Sequence, residues 1–180
     1  MPKPFLSIRD LCLISVFAAM IIALSPIPIP LPGGIPITLA TFIIPFTGAV
    51  LGPKRGAIAA LVYILLGAAG LPIFSSFRGG LGMLIGPTGG FLLTFPLLAW
   101  IVGFFAERNH RLWLAVGLVL GFVVNFSAGI LYFSFVMQSS LHAAFMATTA
   151  PFLLVEPLKM CAVFLLAPTV RKALERSETR

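Results

Sequence analysis

The sequence predicts an all-α integral membrane protein with six transmembrane helices and with both termini in the cytoplasm. Composition is the first observation that predicts this class, because 59% of the 180 residues are hydrophobic and only 9% are charged. A soluble domain carries about 25% charged residues, which it needs to cover its surface in water. The second and third observations are a series of apolar runs and the placement of basic residues at their ends. We therefore expect one multi-pass membrane domain over residues 1–180, with the lipid bilayer as its solvent.

Six apolar runs, each bounded by prolines, glycines or charged residues, define the predicted helices. They span residues 11–24, 38–51, 57–69, 91–105, 112–136 and 151–167. Ser7 and Asp10 precede the first run with the spacing of a helix-capping box. Alternating prolines exclude a helix at 26–34, while residues 70–90 form a glycine-rich loop and residues 138–149 a weakly polar one. Several runs are shorter than the ~20 residues that span a bilayer, so we expect short helices or loops that enter the membrane.

The basic residues predict the orientation of the chain in the membrane. All lysines and arginines except Arg78 and Lys159 lie before the first helix, after the last, or between helices 2 and 3 or 4 and 5: Lys3, Arg9, Lys54, Arg55, Arg108, Arg111, Arg171, Lys172, Arg176 and Arg180. In a six-helix protein these positions share one side, and loops rich in Lys and Arg are cytoplasmic. Both termini are therefore predicted to be cytoplasmic. The same pattern explains the net charge of +7 without a nucleic-acid partner.

Motifs for catalysis or metal binding are sparse. Cys12 and Cys161 lie within apolar runs and form no CxxC pair, so we interpret them as small buried side chains. His110 and His142 are far apart near segment ends, and we expect neither a metal site nor a cofactor. The sequence has no Walker A motif, no HExxH motif and no nucleophile–histidine–carboxylate set. Binding or transport is therefore favoured over catalysis.

Three charged residues are not explained by orientation in the membrane: Arg78, Glu156 and Lys159. A charge within a membrane helix is costly and usually belongs to an ion pair or a functional path. Glu156 and Lys159 are three residues apart, so they share one face of the last helix. They are either a self-neutralising pair that fixes helix packing or a donor–acceptor set for a polar ligand, which we favour. A membrane-embedded enzyme that uses them as acid and base is the less favoured alternative.

Arg78 is the one cation expected on the outer side, in a glycine-rich loop. Its planar guanidinium suits a carboxylate, although a solvated loop arginine is the alternative. Phe74, Phe77 and Phe91 are candidates for the walls of an apolar pocket, or else contacts of the core or of lipid. Thr88 is equally suited to capping a helix and to contacting a ligand.

Ala19 and Ala23 form an A-x-x-x-A pattern in the first predicted helix. Small residues four positions apart allow a second helix to approach closely. We expect this face to dock a partner helix, although alanine is frequent in membrane helices.

Several short blocks of the sequence carry a resemblance to a known family. They are Pro-Ile-Thr-Leu at 36–39, Leu-Gly-Pro-Lys-Arg-Gly at 51–56, Gly-Ala-Ala-Gly-Leu-Pro-Ile-Phe at 67–74, Arg-Gly-Gly-Leu-Gly at 78–82, Gly-Pro-Thr-Gly-Gly-Phe at 86–91, Pro-Phe-Leu at 151–153 with Lys159, and Leu-Ala-Pro at 166–168. Over nearly the whole chain these blocks resemble the BioY family, the biotin-binding S components of energy-coupling-factor (ECF) vitamin transporters. The Gly-Pro-Lys-Arg-Gly and Gly-Pro-Thr-Gly-Gly blocks are the most specific.

The resemblance implies a six-helix S-component fold in the plasma membrane and capture of biotin for uptake, without enzymatic activity. It implies a biotin pocket near the outer face, formed by the loop after helix 3 and by helices 4 and 6. The implied ligand contacts are Phe74, Ser75, Ser76, Arg78, Gly79, Thr88, Gly89, Gly90, Phe91, Glu156 and Lys159. The implied partners are a transmembrane T component, which would dock on Ala19 and Ala23, and ATPase subunits.

The sequence departs from the family's pattern at four places. Glu156 stands where the family usually has aspartate, Ala40 where it often has glutamine, and Phe91 where it often has tyrosine. Ser75-Ser76-Phe77 replaces a small, glycine-rich stretch. Two related alternatives therefore stay open: an S component for a different vitamin, and a biotin transporter that works without the ECF module.

Overall fold

The computed structural model describes residues 6–29, 37–108 and 110–178, and within them the fold is helical apart from one short strand pair. The helices are α1 (Ile8–Leu24), α2 (Ala40–Leu51), α3 (Pro53–Ala68), α4 (Leu81–Ile85), α5 (Gly89–Leu93), α6 (Phe95–Ala106), α7 (Arg111–Met137), α8 (Leu141–Thr148) and α9 (Glu156–Glu178). Single 3₁₀ turns lie at Ser75–Phe77 and Ala150–Leu154. The strands β1 (Pro28–Ile29) and β2 (Ile37–Thr38) pair antiparallel. Residues 30–36, which include most of the loop expected at 26–34, lie outside the described ranges.

The start of α1 is set by the capping box that the sequence predicts. The Ser7 hydroxyl accepts from the backbone N–H of Asp10 at 3.1 Å, and Asp10 Oδ2 accepts from the N–H of Ser7 at 2.9 Å. Through Oδ1 the same carboxylate pairs with Nε of Arg55 at 2.8 Å. One aspartate therefore caps α1 and joins it to the first turn of α3.

Helix α2 is the centre of the bundle and packs against α1, α3, α6 and α9. All of its residues except Phe42 are buried. Glycines bring its neighbours close: a Cβ at Gly48 would overlap the backbone of Ala99 in α6, and one at Gly56 of α3 would lie 2.7 Å from Gly48 Cα. A helix that is buried on all sides must be apolar all around, which explains the absence of charge in α2.

The structure differs from the predicted helices most clearly at 91–105 and at 138–149. The first is divided at Thr94 into α5 and α6, because Pro96 has no N–H to continue the helical hydrogen bonds. The second, expected as a loop, contains α8. The Ser140 hydroxyl caps α8 by accepting from the N–H of Ala143 at 3.2 Å, a signal that its weakly polar composition obscured.

The last predicted helix, at 151–167, is displaced toward the C-terminus. Residues 150–154 form a 3₁₀ turn, and α9 begins at Glu156 rather than near Pro151. It continues through the stretch expected to be a charged tail, so Arg171 and Arg176 lie on the helix itself. A helix beginning near Pro151 would place Glu156 and Lys159 one to two turns inside it, whereas they lie in the first turn of α9.

Much of the exterior is apolar, with Phe135 and Leu154 exposed at 76% and 87%. Within the described ranges, α7 is the one helix long and apolar enough by itself to cross a membrane, and α2 and α6 are shorter apolar helices. Cys12 and Cys161 are exposed, so the buried positions expected for them are wrong. Hydropathy does not separate a lipid-facing position from a core position, because both are apolar.

Basic residues from separate segments converge at one end of the bundle. Lys54 and Arg55, at the start of α3, line a cleft together with Arg171 of α9. Arg9 of α1 donates through Nη2 to a backbone carbonyl of α9, that of Leu174, at 3.3 Å. The basic residues at positions 3 and 180 lie outside the described ranges. Glu107, the neighbour of Arg108 in the chain, lines the same cleft. The clusters that were inferred to share one side of the protein therefore come together at this end of the bundle where the structure describes them.

Candidate ligand-binding site

A cavity of ≈ 590 Å³ lies at the end of the bundle opposite the basic cleft. It lies where α2 begins and α3 ends, whereas the basic cleft lies where α2 ends and α3 begins. Its walls are mostly aromatic and apolar, with a few hydroxyl groups and one guanidinium. Small-molecule sites in proteins usually measure about 300–1,000 Å³ and combine apolar walls with a few polar groups. Size and lining therefore both fit a small organic ligand.

Glu156 and Lys159 form a buried ion pair beside this cavity. Nζ lies 2.9 Å from Oε1, and both side chains are 7% exposed. Lys159 also donates to the backbone carbonyl of Thr38 and to the hydroxyl of Thr41, each at 2.8 Å. These three acceptors match the three hydrogens of an ammonium group. The pair therefore fastens the first turn of α9 to the start of α2.

Thr41 connects the ion pair to the cavity. Its hydroxyl donates to Oε1 of Glu156 at 2.7 Å while it accepts from Lys159. Thr41 and Thr38 line the cavity, whereas Glu156 and Lys159 lie behind them, outside the lining. Oε2 of Glu156 is buried and has no hydrogen-bond partner among the described residues. Because buried polar atoms are nearly always hydrogen-bonded, this oxygen marks a place that accepts a further donor.

The loop after α3 closes one side of the cavity. It folds back on itself where the N–H of Phe74 donates to the carbonyl of Arg78 at 2.8 Å. Ser76 adopts φ 58°, a left-handed conformation that non-glycine residues seldom take. The buried ring of Phe74 meets Tyr63 edge to face, with centroids 5.4 Å apart. This packing sets the loop, with Ser75, at the cavity wall.

Helices α4 and α5 form another wall. Phe91 of α5 meets Phe126 of α7 edge to face at a centroid distance of 5.7 Å, and both rings line the cavity. Thr88 holds the position before α5 but makes no capping hydrogen bond with its side chain. Of the two roles that the sequence left open for Thr88, helix capping is therefore not seen, and the residue lines the cavity.

The structure brings together at the cavity six of the predicted ligand contacts: Phe74, Ser75, Ser76, Arg78, Thr88 and Phe91. It does not place the three predicted glycines in the lining. A Cβ at Gly79 or Gly89 would overlap a backbone carbonyl, and one at Gly90 would overlap the side chain of Tyr132. These glycines allow close packing of the chain. Phe77, the third candidate wall residue, is 63% exposed and lies outside the lining.

Sequence reasoning missed much of the cavity wall. The missed residues include Thr38, Thr41, Tyr63, Phe95, Phe126, Phe133, Thr148 and Phe152. A signal existed for two of them, because Thr38 and Thr41 are hydroxyl residues three apart at the start of a run that is apolar apart from these two and Thr47. The aromatic residues carried no such signal, since phenylalanine is equally common in the core and at the lipid surface.

The fold and the cavity together define a largely helical membrane protein that encloses a space of small-molecule size beside a buried ion pair. A model of the BioY family matches residues 1–176. The chain belongs to the BioY family.

Curated relatives cover most of the chain. The biotin transporter BioY of Thermotoga maritima is 34% identical over 165 residues, which make up 91% of this chain and 96% of the relative. The biotin transporter BioY of Rhodobacter capsulatus is 39% identical in an alignment 176 residues long, and the match covers 90% of this chain and 93% of the relative. Among solved structures, the S-component for biotin from an ECF-type ABC transporter has a similar fold. The TM-score is 0.77 at 24% identity, covering 93% of this chain and 92% of that one, which confirms the expected S-component fold.

Proposed function

We propose that this protein binds biotin in the cavity and acts as the substrate-binding S component of an ECF transporter in biotin uptake. The observation that carries the proposal is the cavity itself, where apolar and aromatic walls meet polar groups at separate points. Membership of a transporter family and the names of the curated relatives support the same function. The protein is a transport component and not an enzyme.

Biotin has three chemically distinct parts, and the site has a counterpart for each. Its fused rings are largely apolar and suit the aromatic walls, including Phe74 and Phe91. Its cyclic urea carries two N–H donors, and Oε2 of Glu156 and the Thr41 hydroxyl oxygen have acceptor capacity left for them. Its carboxylate suits the planar guanidinium of Arg78, which is exposed at the cavity.

Calorimetry on the detergent-purified protein tests this function. We expect biotin to bind with a Kd below about 1 μM, a binding free energy beyond about −8 kcal/mol. Absence of heat, or a millimolar constant, contradicts the assignment to biotin. Heat with a different vitamin and none with biotin would instead support an S component that is specific for that vitamin. Chemical conversion of the ligand would support the alternative of a membrane-embedded enzyme.

We further propose that the protein lies in the plasma membrane and crosses it six times, with both termini in the cytoplasm. The passes are α1, α2, α3, the pair α5–α6, α7 and α9. Convergence of basic residues at one end supports this orientation, since cytoplasmic segments are rich in Lys and Arg. The cavity then faces outward, toward the supply of the vitamin.

Cysteine labelling tests the orientation. In a protein with Cys12 and Cys161 replaced by alanine, a single cysteine is introduced as Ser76→Cys or as Arg176→Cys. A membrane-impermeant maleimide added to intact cells should label the Ser76→Cys protein and not the Arg176→Cys protein. After the cells are lysed, it should label both proteins. Labelling of only Arg176→Cys in intact cells would overturn the proposed orientation.

The proposed partners are a T component and ATPase subunits, with docking on α1. Ala19 and Ala23 are exposed, whereas Ile14, Ala18 and Ile21 face the bundle. Exposed small residues on a membrane helix permit close approach of another helix. Uptake by cells that contain this chain and lack a T component would favour the alternative in which the protein works alone.

A further inference from the structure

The break between α5 and α6 lies beside the cavity. Thr94 separates the two helices with φ −91° and ψ −1°. Pro96 cannot donate to the carbonyl of Leu92, because proline has no N–H, and this carbonyl accepts from the N–H of Thr94 instead. The Thr94 hydroxyl donates a hydrogen bond to the carbonyl of Gly90, one turn earlier in the chain, at 2.8 Å. Since lipid offers no donors, backbone groups released at such a break need partners from the protein.

Asn125 of α7 supplies donors to this break. Its Nδ2 donates to the carbonyl of Phe91 at 3.1 Å and to the hydroxyl of Thr94 at 2.7 Å. The carbonyl of Phe91 can only accept, which determines which end of the amide faces it. Asn125 is 1% exposed, and its Oδ1 has no partner among the described residues. Both amide hydrogens of this buried residue are therefore committed to the break.

The same face of α7 contacts α5 at one further point and the preceding α4 at another. Gly129 leaves the space that the Phe91 ring occupies, because a Cβ there would overlap the ring. Tyr132 donates its hydroxyl to the carbonyl of Leu84 at 3.0 Å. Asn125, Gly129 and Tyr132 are four and seven positions apart and so share one helix face. This face therefore offers the Asn125 amide, the space beside Gly129 and the Tyr132 hydroxyl to residues 84–94.

We infer that Asn125 is a positioning residue for the ligand site: by holding the α5–α6 break it sets the place of the Phe91 ring in the cavity wall. Asn125 lies outside the lining and acts through the backbone of Phe91. The inference rests on the proposed function, since it takes the cavity as the biotin site.

Asn125→Leu tests the inference, because it removes both donors and keeps a similar volume. We expect biotin affinity to fall by about tenfold or more, which corresponds to about 1.4 kcal/mol. Gly117→Ala is the matched control: its Cβ would lie 2.6 Å from Cβ of Phe105, so it disturbs α6–α7 packing away from the break. The control should lower the melting temperature and leave affinity near the native value. Thr94→Val, which removes one of the two hydrogen bonds, serves if Asn125→Leu does not fold, and should weaken binding in the same direction.

A second readout follows the ring itself. With 4-fluorophenylalanine at position 91, the ¹⁹F resonance of the protein without biotin should move in Asn125→Leu or Thr94→Val and stay in place in Gly117→Ala. An unchanged resonance, or affinity that falls equally in the control, overturns the inference. If the native protein binds no biotin, the proposed function fails, and the resonance alone then decides whether Asn125 positions Phe91.

Discussion

The hydroxyl of Thr41 donates to Oε1 of Glu156 over 2.7 Å and so joins the start of α2 to the start of α9, across 115 positions of the chain. Thr41 faces the cavity and Glu156 lies behind it. A ligand that engages the ion pair must therefore meet or displace Thr41. Because the pair also ties two helices together, its role at the ligand has to be separated from its role in packing.

The double change Glu156→Gln with Lys159→Met separates these roles. It removes both charges and keeps similar volumes, which avoids the roughly 3–5 kcal/mol cost of leaving one buried charge unpaired. We expect the protein to fold and to lose biotin affinity by about 100-fold, since a hydrogen bond to a charged group contributes about 1.5–3 kcal/mol. Melting temperature and affinity are measured on the same preparation.

A second ion pair on α9 gives the control. Arg171 and Glu175 pair at 3.0 Å, at the basic end and far from the cavity. Arg171→Gln with Glu175→Gln should leave biotin affinity unchanged. A stable Glu156/Lys159 double variant with near-native affinity would show that the pair only fixes packing.

Arg78→Gln should weaken binding of biotin and not of an uncharged biotin ester. The guanidinium lines the cavity and is exposed, so we expect a modest effect of about tenfold, near the lower end for a charged hydrogen bond. Calorimetry with the acid and its methyl ester measures the difference. Arg108→Gln, at the basic end, is the control and should bind both compounds like the native protein. Equal loss for acid and ester in Arg78→Gln would exclude a contact with the carboxylate.

Ala19→Leu combined with Ala23→Leu should abolish assembly with a T component and uptake, and spare biotin binding. The reason is steric, because a close helix crossing needs small side chains. Co-purification and calorimetry measure the two properties. Cys161→Leu adds bulk to an exposed position on α9 and should affect neither. Unchanged co-purification of the double variant would remove α1 as the docking face.

Gly48→Ala should destabilise the fold without a direct effect on the ligand site. Its Cβ would overlap the backbone of Ala99, which cannot move aside as a flexible side chain does. Overpacking of this kind costs about 1–3 kcal/mol. The free energy of unfolding in detergent measures the loss, with Gly82→Ala as control because no atom lies within 4 Å of its added Cβ. Equal stability of the two variants would show that α2 and α6 are not in close contact.

Local signals predicted the parts of the fold that depend on neighbouring residues. The capping box of Ser7 and Asp10 starts α1 as its spacing requires, because both bonds form within four residues. The clustering of basic residues also follows from positions in the sequence, since each cluster flanks an apolar run. In the predicted ligand cluster from Phe74 to Phe91, the arginine, the threonine and the phenylalanines were candidates by residue type, and the serines and glycines came from the family resemblance. Six members of this cluster line one cavity.

Sequence reasoning failed where burial had to be judged in an apolar environment. Cys12 and Cys161 look like core residues but are exposed, and Phe77 lies outside the cavity that Phe74 and Phe91 share. In water, polarity separates the surface from the core. In lipid both are apolar, so the pattern of hydropathy loses that information.

By itself, the sequence determined the class of protein, the order of most helices and the set of charges that orientation in the membrane does not explain. Only the tertiary structure decided that Thr41 lies between the ion pair and the cavity. Only the tertiary structure likewise decided that Asn125 of α7 bonds the carbonyl of Phe91 and the hydroxyl of Thr94 at the break between α5 and α6. These relations join residues far apart in the chain. They depend on where helices cross and on which carbonyls lose their helical donors, and neither is written in the spacing of residues along one segment.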